Sequence, residues 1–79
     1  MARSPNQKLK TLILQKTLLE RTDEEHPMTV KELIDTLAAW DVTAERKSIY
    51  DDLEALRAFG LDIQSRKGKT PGWFVGERP

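Results

Sequence analysis

Residues 45–63 read ERKSIYDDLEALRAFGLDI, and the periodicity of this stretch decides the fold. Ile49, Leu53 and Leu56 stand at i, i+4 and i+7, the spacing of one buried stripe on an α-helix. Turning about 100° per residue from Ile49 sends Lys47, Asp51, Glu54 and Ala58 away from that stripe. Arg46, Tyr50 and Arg57 fall on one flank, Ser48 and Ala55 on the other, and Asp52 near the edge of the buried face. The helix starts between Thr43 and Glu45, and Gly60 stops it as a residue free to take positive φ.

After Gly60 the pattern changes from helical to alternating. Leu61 and Ile63 alternate with Asp62 and Gln64, SRKGKTPG (65–72) supplies turn chemistry with three cations, and WFV (73–75) is an aromatic and β-branched run. Together these predict a β-hairpin with a basic tip.

Upstream, MTVKELIDTLAAW (28–40) opens with a capping box. Thr29 can accept from the amide of Glu32, and Glu32 can reach back to the amide of Thr29. Val30, Leu33, Ile34 and Leu37 share one face, Trp40 closes the helix, and Met28 suits a strand of one or two residues. DVTA (41–44) is a short break. TDEEHP (22–27) ends a first helix that runs from Gln7 to about Arg21, since Pro27 stops propagation and the acids solvate the loop. In that helix Leu9, Leu12, Ile13 and Leu19, with the Lys16 stem, make the expected core face. Leu14 and Leu18 fall roughly opposite, either as ordinary exposed leucines or as an interface to another chain or domain, and the interface is preferred.

Two helices joined by a tight turn and followed by a hairpin make a winged helix-turn-helix. The fold class is therefore mainly α with a small β-hairpin, three helices plus a two- or three-stranded wing sheet. Residues 1–6 are expected to be a disordered arm, 7–76 the domain and 77–79 a tail. The chain has 79 residues, enough for one domain with a thin core.

Thirteen basic residues balance 13 acidic ones, which counts against nucleic-acid binding by total charge. The distribution is uneven, however. Cations gather before residue 22 and again from Arg66 to Lys69, and acids gather from Asp23 to Asp35, which permits one basic and one acidic face. Cysteine is absent and His26 is the single histidine, so no metal site is expected. No nucleophile has a histidine partner and no glycine loop cradles phosphate, so neither an enzyme nor a cofactor is expected. No signal peptide or membrane-spanning run is seen, and a cytoplasmic, nucleoid-associated protein is expected.

In helix-turn-helix docking the first residues of the second helix meet base edges in the major groove. Those residues are Arg46, Lys47, Ser48, Tyr50 and Asp51. Arg and Lys can donate to guanine, a carboxylate can accept from cytosine, and Tyr50 can reach phosphate, sugar or a thymine methyl. Asp51 either fixes Lys47 one turn earlier or reads a cytosine. Asp52 is expected to be structural, pairing with a cation from the first helix or the hairpin. Arg66, Lys67 and Lys69 around Gly68 can neutralise phosphates. Thr29 and Lys31, at the amide end of the second helix, can dock one more.

The segments TDEEHPMTVKELIDTL (22–37), ERKSIYDDLEALRAFGLDI (45–63) and GWFV (72–75) resemble the N-terminal winged helix of bacterial WYL-domain transcriptional regulators, over about Lys8 to Arg78. The resemblance implies a double-stranded DNA-binding head, a homodimer in the full-length regulator, and a small-molecule or nucleotide ligand taken only by a following WYL domain. It implies a recognition helix carrying Arg46, Lys47, Ser48 and Tyr50, and a wing over Arg66–Gly72. Many relatives carry a basic residue where Asp51 stands. With Leu14 and Leu18 expecting company, the chain reads as the head of a longer regulator. The competing function is a winged-helix protein-interaction module without direct DNA contact, favoured by zero net charge and by Asp51, Asp52 and Glu54.

Overall fold

The computed structural model describes residues 5–69 and 71–77. Helices α1 (Pro5–Arg21), α2 (Val30–Ala39) and α3 (Arg46–Phe59) precede strands β1 (Ile63–Arg66) and β2 (Gly72–Val75). The strands pair antiparallel, Ile63 opposite Val75 and Arg66 opposite Gly72. This is the winged helix-turn-helix arrangement, mainly helical with a small wing.

The capping box of α2 is present. Thr29 Oγ1 accepts from the Glu32 amide at 3.1 Å, and Glu32 Oε1 accepts from the Thr29 amide at 2.8 Å, satisfying donors that the first turn leaves open. Met28 forms the expected one-residue strand. Its amide donates to the Trp73 carbonyl at 2.9 Å, and Trp73 returns the bond at 2.7 Å. Gly72 makes this approach possible, because a Cβ there would lie 2.7 Å from the Met28 carbonyl carbon.

Ile49, Leu53 and Leu56 are buried as their spacing requires, and α3 begins at Arg46 with Glu45 as its N-cap. At its other end Gly60, at φ 129°, donates to the carbonyls of Leu56 and Arg57. The break between α2 and α3 is more ordered than its sequence suggests. Asp41 adopts φ 64°, a left-handed turn that a short polar side chain tolerates. Val42 then donates to the Leu37 carbonyl at 2.9 Å and buries its side chain beneath the turn.

The first helix corrects two expectations. It begins at Pro5 rather than Gln7, so the expected disordered arm over 1–6 loses Pro5 and Asn6, and residues 1–4 lie outside the described residues. Most of the tail expected over 77–79 also lies outside them. More importantly, Ile13 is buried and Leu19 packs against the core as expected, but the rest of the helix is turned the other way. Leu14 and Leu18 are in the core at 1% and 0% exposure, while Leu12 is 59% exposed, Leu9 40% exposed, and Lys16 lies outward. Leu14 and Leu18 are therefore not an interface. The buried stripe is Lys10, Ile13, Leu14, Thr17 and Leu18, continued by Thr22.

Candidate nucleic-acid interface

The start of α2, the start of α3 and the wing enclose one open groove of about 310 Å³. Thr29 and Lys31 come from the first turn of α2, Arg46 and Tyr50 from the opening turns of α3, and Arg66 and Lys67 from the wing. Six of the sequence-predicted contact residues thus meet on one concave surface. Among the described residues no carboxylate lines it.

Four acids are held in ion pairs with cations of the helices. Asp52 lies 2.8 Å from Lys10, Glu20 2.9 Å from Lys16, Asp35 3.2 Å from Lys31 and Glu54 2.8 Å from Arg57. Among the described residues Arg46, Lys47, Arg66, Lys67 and Lys69 make no ion pair. These unpaired cations sit on the opening of α3 and on the wing, so the protein carries a local positive field without a positive total.

Tyr50 is 42% exposed. Its ring lies 6.1 Å from that of Trp73 with the planes tilted by 58°, a distance within the range of favourable aromatic pairs. The pair joins α3 to β2 and forms an aromatic wall of the groove. Trp73, Ser65, Pro71 and Gly72 also line it and were not singled out from the sequence. The signal was there for two of them. Ser65 and Trp73 are cross-strand partners, so alternation puts both on one face of the hairpin.

Lys47 and Asp51 are exposed on the outward face of α3 but do not line the groove, and Lys69 is exposed on the wing. Ser48 is half-buried on the flank of α3. Its Oγ accepts from Lys10 Nζ, so it turns toward α1. Asp52 is structural, as expected. Its side chain and that of Lys10 are 11% and 3% exposed. Its Oδ2 finds no well-angled hydrogen bond, and the charge of Lys10 compensates it instead.

Arg57 is a positioning residue that the sequence did not reveal. Its Nε and Nη2 donate to the Ile63 carbonyl at 3.2 and 3.0 Å, and Nη1 donates to Glu54 at 2.8 Å. The guanidinium fork thereby ties the start of β1 to the last turn of α3, which sets the wing's angle. At the other end of β1, the Arg66 guanidinium lies 5.7 Å from the centre of the Phe74 ring, a cation–π distance.

Comparison with protein-family models, with curated proteins and with solved structures finds no match. Among the described residues no group of three or more His, Cys, Asp or Glu side chains could hold a metal ion, and no helix is long and apolar enough to cross a membrane.

Proposed function

We propose that the chain binds double-stranded DNA sequence-specifically, as the N-terminal head of a bacterial transcriptional regulator of the WYL type. The opening turns of α3 enter the major groove, and the wing lies against the neighbouring backbone. One observation carries this reading. Lys31, Arg46, Arg66 and Lys67 converge from three separate elements on one groove that, among the described residues, no acid lines.

Each part suits a different contact. Arg46 and Lys47 donate to base acceptors, Tyr50 donates to phosphate or packs on sugar, and the wing cations neutralise phosphates. An α-helix with side chains is about 10–12 Å across, and the major groove about 12 Å wide, so α3 fits with its exposed face inward. The regulator reading adds the resemblance of residues 22–37, 45–63 and 72–75. The homodimer belongs to the full-length regulator and does not rest on Leu14 or Leu18.

The test is fluorescence anisotropy of labelled duplexes titrated with the folded chain at low salt. Binding should weaken steeply as salt is raised, since phosphate neutralisation releases counterions. A folded chain that leaves every duplex free at low salt overturns the reading and returns the groove to a protein partner.

A further inference from the structure

Each acid of α3 but one is neutralised. Lys10 compensates Asp52, and Arg57 compensates Glu54. Asp51 is exposed and, among the described residues, makes no ion pair or side-chain hydrogen bond. Lys47 stands one turn earlier on the same outward face, also exposed and, among the described residues, also without an ion pair. The spacing would let them neutralise each other, but the order is the weaker one, with the cation N-terminal to the acid. The structure leaves them apart, which removes the reading of Asp51 as a brace for Lys47.

We propose that Asp51 is a specificity residue: its carboxylate accepts from the N4 amino group of a cytosine in the major groove, and repels duplexes that offer none. This rests on the duplex-binding reading above. An ionised carboxylate only accepts. In the major groove guanine presents N7 and O6 and thymine presents O4, all acceptors, while adenine sets its N7 acceptor beside its amino group. In the duplex adenine's amino group lies between its own N7 and the O4 of the paired thymine, whereas cytosine's has an acceptor, guanine O6, on one side only and is the more open to a carboxylate. Lys47, which only donates, suits guanine N7 and O6. The two side chains together read guanine and cytosine at neighbouring positions. Elsewhere on a duplex Asp51 faces phosphates and lone pairs without compensation. It lowers non-specific affinity and raises the contrast between the right site and the rest.

The experiment incubates a randomised duplex pool with the chain at low salt and sequences what is retained. It compares wild type, Asp51→Ala and Asp51→Asn, with circular dichroism confirming that all three are folded. Wild type should enrich an invariant cytosine. Asp51→Ala should lose discrimination at that position by about tenfold or more. Asp51→Asn should move the preference to adenine, which an amide matches on N6 and N7. Both variants should bind unselected duplex more tightly than wild type. If either variant enriches the same base at that position as wild type, or neither gains affinity for unselected DNA, the inference is overturned while duplex binding stands. If wild type retains no duplex at all, the interface reading itself falls.

Discussion

Lys10 of α1 and Asp52 of α3 hold opposite charges 2.8 Å apart in the protein interior, and the same ammonium donates to Ser48 one turn earlier on α3. One buried cation thus grips two successive turns of the helix. This fixes the rotation of α3 about its axis and so determines which side chains face outward.

Removing one partner should be far worse than removing both. Lys10→Ala leaves Asp52 buried without compensation and should cost about 3–5 kcal/mol. Lys10→Met combined with Asp52→Leu should recover most of that loss in urea unfolding. Equal losses in the single and double variants would mean that the pair is not a coupled unit.

Phosphate neutralisation predicts a graded response at the groove. Arg46→Ala, Arg66→Ala and Lys67→Ala should each weaken duplex binding. Each residue that touches a phosphate should lower the slope of log K against log salt by about 0.9. Lys16→Ala, on the outward side of α1 and already paired with Glu20, should leave both slope and affinity unchanged. An equal response at Lys16 would indicate diffuse attraction rather than a defined footprint.

The orientation of α1 can be checked by two leucine truncations. Leu18→Ala removes a fully buried side chain and should cost about 2–5 kcal/mol. Leu12→Ala, at an exposed position, should change stability by no more than about 0.5 kcal/mol. The reverse order in thermal or urea unfolding would contradict the burial of Leu18.

Gly72 combines φ of 150° with backbone contact to Met28. Gly72→Ala should cost at least about 1–3 kcal/mol from the backbone conformation alone. It should also open the Met28–Trp73 bridge, seen as faster amide exchange at both residues. Unchanged exchange would show that the bridge does not need the glycine.

Acid should loosen the base of the hairpin. Asp62 accepts from the Glu77 amide at 2.9 Å and from Gln64 Nε2 at 2.8 Å. The Glu77 amide first, then Gln64, holds its carboxyl below the ordinary aspartate value. A depressed carboxyl contributes stability that is fully present above its unfolded pKa of about 4 and is lost as pH falls through the lower folded value. Asp62→Asn should therefore flatten the acid side of the stability profile. A variant that tracks wild type at every acidic pH would remove Asp62 from this role.

Most of the fold was legible because α2, α3 and the hairpin each carry one unambiguous pattern. Thr29 and Glu32 mark a helix start, Ile49, Leu53 and Leu56 mark one face, and Gly60 marks a stop. The first helix was misread for a physical reason. Its leucines and isoleucine occur nearly all round, so hydrophobicity does not choose a side. Its true inner stripe includes Lys10 and Thr17, which count against burial by composition. Lys10 is buried only because α3 supplies Asp52 and Ser48, and no local pattern in α1 announces that. The groove cations were legible from turn chemistry and helix position. Trp73 was legible only as the residue that shares a hairpin face with Ser65, and Arg57 was not legible, because its role depends on what lies beyond the end of α3.

Thr22 Oγ1 accepts from the Val75 amide at 3.1 Å, across 53 positions of chain, and donates to the Leu18 carbonyl at 2.6 Å. This clasp has a consequence for synthesis. The first helix leaves the ribosome long before the strand that completes it, and an isolated helix of this length is marginal in water. This clasp cannot close until residue 75 has cleared the exit tunnel, although α1 can meet α2 and α3 before then. A nascent chain arrested before that point would present an unfinished surface to proteases and chaperones.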